Sequence, residues 1–178
     1  MKKNYCSLIL SIITLALCTG FQPVAASGRR AQGPTQKTGA SVSAKVASTK
    51  MARLLDASGY KFTKAADNIW FINFQGKSLA EFKVTIVVQD EVVVMFTILA
   101  EGKDVSLTPI LMKKLLSLNH AIDRVKIALG EEGELVVRTE LSQRVVDVTE
   151  LKLNVEQLSG AVDEIHAAVK ADLTRPAK

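Results

Sequence analysis

Hydrophobic and polar positions change period several times along this chain, and the changes mark out its elements. From Ala44 apolar side chains recur at helical spacing, at Val46, Met51, Leu54 and Leu55, and Gly59 stands where helices commonly end in a left-handed residue. The spacing predicts a first helix over residues 44–57. The period then drops to two: Tyr60 and Phe62 alternate with Lys61 and Thr63, Asp67-Asn68 marks a turn, and residues 69–75 are aromatic and β-branched up to Gly76. Two short strands follow from that. Residues 79–89 place Phe82, Val84, Ile86 and Val88 on one face and Lys83, Thr85 and Gln89 on the other, as a half-buried antiparallel strand does.

Residues 92–99 differ, because Val92, Val94, Phe96 and Ile98 make one face and Val93, Met95 and Leu99 make the other apolar as well. Both faces call for cover. Either the strand is central with a helix layer on each side, or one face is covered by a partner subunit or ligand; coverage by the chain's own first or last helix is the plainer alternative. On the partner reading, Val93, Met95 and Leu99 are the candidate partner-binding residues. Asp90-Glu91 makes the preceding reversal, without the glycine of the strongest hairpin turns.

Thr108-Pro109 opens the next helix with an N-cap hydroxyl and a proline whose missing donor costs nothing at the first helical position. That helix is expected to reach about Leu118, with a wide apolar arc of Leu111, Met112, Leu115, Leu116 and Leu118. Residues 124–129 and 135–141 alternate around Gly130-Glu131-Glu132-Gly133, which predicts a second hairpin with Lys126, Arg138 and Glu140 on its outer face. Asp147 and Glu150 have capping-box spacing. Leu151, Val155, Leu158, Val162, Ile165 and Val169 then repeat every four and three residues, a stripe whose burial stabilises by on the order of 10 kcal/mol. Gly160 inside this helix is expected to allow close packing. The sum is an α+β domain in which an antiparallel sheet of about five or six strands packs with three helices, in the order α-β-β-β-α-β-β-α with room for one extra short strand.

Ahead of this domain, Lys2 and Lys3 precede an uncharged run over residues 8–18, and Val24-Ala25-Ala26 supplies small residues for a peptidase. The run is shorter than the roughly 20 residues that span a bilayer. Residues 1–26 are therefore read as a signal peptide, residues 27–43 as a disordered basic tether, residues 44–172 as one α+β binding domain and residues 173–178 as a tail. The expected location is periplasmic or extracellular after cleavage near Ala26. Both cysteines, Cys6 and Cys18, fall in the removed segment, with lipidation of Cys18 as the alternative fate of the leader.

The formal charge of +5 is concentrated at the front, since from Leu54 onward 15 lysines and arginines stand against 18 acids, a net of −3. Such a body does not offer duplex nucleic acid the clustered cations it requires. Chemistry is not marked either. His120 and His166 share no metal-binding spacing, no Gly-x-Ser-x-Gly surrounds Ser58 or Ser159, and Gly130 and Gly133 are followed by no lysine or helix start of a phosphate loop. Glu131, Glu132 and Glu134 sit on a hairpin tip without the alternating Asp/Asn ligands of a calcium loop, and Trp70, Phe71 and Phe74 read as core. No catalytic residue, metal ligand or cofactor is expected.

The string Leu115-Leu116-Ser117-Leu118-Asn119, the hairpin Gly130-Glu131-Glu132-Gly133-Glu134-Leu135-Val136-Val137 and the long helix from about Val148 resemble the YbjN-type bacterial family. That family is similar in fold to the type III secretion chaperones. The resemblance covers residues 51–169 and implies a binding or chaperone-like role, frequent homodimers and no catalytic residues to carry over. The expected function is an exported, non-enzymatic protein-binding domain that acts through an apolar sheet face or strand edge, on a protein partner or on itself. The alternative is an envelope-associated structural or regulatory protein whose basic leader contacts anionic surfaces.

Overall fold

In the computed structural model, which describes residues 38–89 and 91–173, the chain leaves its first helix, α1 (Thr38–Ser58), through Gly59 at φ 80°. Only glycine adopts that left-handed backbone without strain. Ser58 Oγ donates to Leu55 O at 2.7 Å and accepts from Tyr60 N, which fixes the exit direction. Four strands follow, β1 (Phe62–Ala66), β2 (Ile69–Phe74), β3 (Phe82–Gln89) and β4 (Val92–Ala100). After the short 3-10 turn Gly102–Asp104 come α2 (Pro109–Ala121), the hairpin β5 (Lys126–Leu129) and β6 (Leu135–Ser142), and α3 (Val148–Leu173). The extra short strand is thus real, and the order is α-β-β-β-β-α-β-β-α.

The six strands form one sheet in the order β1-β2-β3-β4-β6-β5, and each neighbouring pair is antiparallel. Register alternation decides which side chains meet the helices. Trp70 and Ile72 of β2, Val84, Ile86 and Val88 of β3, Val93, Met95 and Leu99 of β4, and Leu135 and Val137 of β6 join one core cluster. The three helices all contribute to this cluster, α1 through Met51 and Leu55, α2 through Leu111 and Leu115, and α3 through its whole stripe from Leu151 to Leu173. Trp70 is fully buried there, and its Nε1 has no hydrogen-bond partner among the described residues.

The helix ends follow their local chemistry. Thr108 Oγ1 accepts Leu111 N at 3.1 Å and caps α2, with Pro109 at its first position. Asp147 Oδ1 accepts Glu150 N at 2.8 Å and caps α3. The second half of the capping box does not form, because Glu150 turns instead to Asn154 Nδ2 at 3.2 Å and to Arg124 at 3.6 Å. Two expectations need correction. The first helix begins at Thr38, ahead of the expected Ala44. Gly160 is exposed, and a Cβ there would meet no atom, so close packing is not its reason.

The expected signal peptide with Cys6 and Cys18, the tether up to Lys37 and the tail beyond Leu173 lie outside the described residues. No helix of the described residues is long and apolar enough to cross a membrane.

Candidate partner-binding surfaces

Val93, Met95 and Leu99, the three candidates from sequence, lie in the core cluster beneath the helices, with Val93 and Met95 0% exposed. This corrects the reading that placed a partner there. The physical reason is simple: α3 packs on β4 and β6 with its unbroken apolar stripe, so the chain supplies its own cover for that face. Ile69, Val87, Val94, Phe96 and Val136 point to the opposite side of the same strands and are also buried, yet none belongs to the cluster beneath the helices. Lys83 stands over the Phe71 ring on that side at 4.7 Å, and Arg138 pairs with Glu140.

The sheet has two outer strands, and they differ. β1 is almost wholly exposed from Thr63 to Ala66, and among the described residues its backbone makes no hydrogen bond outside the ladder to β2. Such an edge is a ready template for another strand. β5, on the far side, has the backbone of Ile127 bonded on both its N–H and its C=O by the side chain of Asn119 in α2.

Two open depressions accompany these edges. The first, about 910 Å³, is lined by Lys61, Asn73, Phe74, Gln75, Glu81, Phe82 and Lys83, at the end of the sheet where β1 starts. Its aromatic wall is held by stacking of Phe74 on Phe82, with centroids 5.7 Å apart, and by an edge contact from Tyr60 to Phe74 at 6.1 Å. Tyr60 also donates to Glu156 at 3.3 Å; burial first and the Glu156 charge second push its phenol pKa upward. The second depression, about 640 Å³, lies along α2 between Pro109, Met112, Lys113, Leu116, Ser117 and His120. Met112 at 49% and Leu116 at 67% exposure give this outer side of the helix its apolar part. His120, beyond the helix end expected at about Leu118, is instead within its last turn on this face.

A Ser/His/Asp trio that the sequence did not reveal joins the β2–β3 loop to α3. Asp163 accepts the backbone N–H groups of Lys77, Ser78 and Leu79 at 3.0, 2.8 and 3.0 Å, and Ser78 Oγ lies 2.8 Å from His166 Nδ1. These bonds, that from Leu79 above all, hold the Asp163 carboxyl below the usual carboxylate range, with the nearby His166 adding to the effect. The arrangement is not that of a hydrolytic triad, in which the carboxylate orients one imidazole nitrogen and the serine meets the other. Here Asp163 is spent on the loop backbone, and the trio works as a clasp. Among the described residues no group of three His, Cys, Asp or Glu side chains is placed to hold a metal ion.

No protein-family model matches the chain, and no curated protein matches it. Solved structures do. YbjN from E. coli superimposes with a TM-score of 0.52 at 20% identity, covering 69% of this chain and 90% of that one. A chain of the HopA1–SchA chaperone–effector complex gives a TM-score of 0.53 at 14% identity, covering 71% of this chain and 97% of that one. The class is therefore defined at the level of fold: a single α+β layer pair of three helices on a six-stranded antiparallel sheet. This is the fold of YbjN, as the sequence resemblance implied, and of a chain of that chaperone–effector complex.

Proposed function

We propose that the protein is an exported, non-enzymatic binding protein that holds an extended segment of a protein partner along the free edge of β1. The observation that carries this reading is the exposed edge of β1, unpaired among the described residues, beside a depression with an aromatic wall. Main-chain hydrogen bonds to β1 would supply affinity, and the Phe74–Phe82 wall with Lys61 would select apolar or acidic side chains. Its fold, shared with a chain of a chaperone–effector complex, supports a partner-holding role. The exported location rests on the residue pattern of residues 1–26.

A photo-reactive amino acid at Thr63 tests the reading in cells that make the protein. The expected result is an adduct with a protein partner that disappears when Lys64→Pro removes one β1 donor and bends the edge. No adduct at Thr63, or one that survives Lys64→Pro, overturns it. Deleting residues 27–37 separates this role from the alternative in which the basic leader contacts an anionic surface: the adduct persists if β1 does the binding.

The exposed strip of Met112 and Leu116 on α2 favours a second copy as an additional partner. Light scattering on Leu116→Glu checks this. A mass that drops from dimer to monomer supports it, and a parent that is monomeric at all concentrations refutes it.

A further inference from the structure

The bonds between Asn119 and β5 have the form of strand pairing. Asn119 Oδ1 accepts Ile127 N at 2.7 Å, and Asn119 Nδ2 donates to Ile127 O at 3.0 Å. Two residues of neighbouring antiparallel strands exchange the same two bonds when they form a hydrogen-bonded pair. Only one orientation of the carboxamide satisfies both, since the other would set donor against donor and acceptor against acceptor.

The position of these bonds along β5 matters. Lys126 and Ala128 face Arg138 and Val136 across the ladder, and Gly130 N donates to Glu134 O at 2.9 Å as the hairpin closes. Alternation then turns the backbone groups of Ile127 and Leu129 outward. A strand of four residues therefore presents two residues at its edge, and Asn119 occupies the first. The one that remains cannot seat a strand.

We infer that the Asn119 carboxamide stands in for a neighbouring strand and closes the β5 edge against pairing with β5 of a second copy, leaving β1 as the edge open to a partner. The second half of this statement rests on the strand-addition role proposed above, whereas the first rests on the geometry at Asn119. Loops and helices that cover a sheet edge are a known defence against unwanted association. Here one side chain does it from the last turn of α2, and the hairpin β5–β6 is tied to that helix by the same two bonds.

The test is Asn119→Ala in the Leu116→Glu background, where the apolar strip of α2 adds nothing to association. Amide exchange read by NMR and sedimentation are followed over a range of concentrations. In dilute solution the Ile127 amide is expected to exchange about tenfold faster than in the Leu116→Glu parent. As concentration rises, protection should appear at Ile127 and Leu129 together while the sedimenting mass doubles. Unchanged protection at Ile127, or a variant that associates no more than its parent, overturns the inference. Asn119→Asp keeps an acceptor for Ile127 N but sets a charge at the edge, so it should stay monomeric; association equal to that of Asn119→Ala also overturns it. Should Asn119→Ala fail to fold, Asn119→Ser, too short to reach both groups of Ile127, is held to the same outcomes. The Thr63 adduct reports separately: its absence alongside association of Asn119→Ala would remove the β1 role and leave the closed β5 edge standing.

Discussion

The Asp163 carboxylate accepts three consecutive backbone N–H groups from the β2–β3 loop, and those bonds favour its charged form. Its folded pKa lies below its unfolded one, so the contribution to stability is present above the ordinary carboxylate range. That contribution is lost as pH falls through the lowered folded value. Protection of the Lys77, Ser78 and Leu79 amides, taken relative to the intrinsic exchange rate at each pH, is accordingly expected to be full at neutral pH and to fall away below the ordinary carboxylate range, before the rest of the sheet opens. Asp163→Ala should lack that protection at every pH. Gly76 belongs to the same device, because a Cβ at that position would collide with the Asp163 carboxylate. None of this was legible in the chain. Asp163 lies 84 to 86 residues from its partners, and on the sequence it is one more acid on the polar side of a striped helix. The pairing is made by tertiary folding, which leaves no local period to read.

Helices and hairpins were legible where one local rule governs them. Thr108-Pro109, Asp147 and Gly59 mark ends that the structure keeps, and the stripe Leu151, Val155, Leu158, Val162, Ile165, Val169 is 0% exposed throughout. β1 was legible only in part. Its pairing partners run from Phe62 to Ala66, while alternation ends at Thr63 and Lys64 to Ala66 carry no apolar signal. Gly160 shows how an element can mislead, since glycine within a helix suggests tight packing, yet this one faces open space. Gly160→Ala is therefore expected to stabilise the protein by about 1 kcal/mol through the lost backbone freedom of glycine, with no steric cost. A higher denaturant midpoint at unchanged slope would show it, and a lower midpoint would mean that something does approach this position.

Across the whole molecule, the order of elements followed from periodicity but the order of strands in space did not. Nothing local says that β6 inserts beside β4 and leaves β5 at the edge, and that arrangement is what brings Asn119 to Ile127. For the same reason the two apolar faces of β4 were visible in sequence while their assignment was not: α3 takes the face of Val93, Met95 and Leu99. Met95→Ala should therefore cost about 2–5 kcal/mol in chemical denaturation, as a core truncation does, and should leave the Thr63 adduct intact in the folded fraction. An adduct lost at full stability would restore these residues as a contact surface. The chain has a single tryptophan, and it is the one enclosed between sheet and helices, with no hydrogen-bond partner for its indole N–H among the described residues. Its emission should accordingly be blue-shifted, with a single red shift as the layers separate. Trp70 pairs with Lys64 of the edge strand, but its ring lies under the helices and not at that strand's rim; a ligand that adds to β1 without parting the layers should therefore leave the spectrum still, and the protein carries a built-in optical gauge of its own folding that is blind to its cargo.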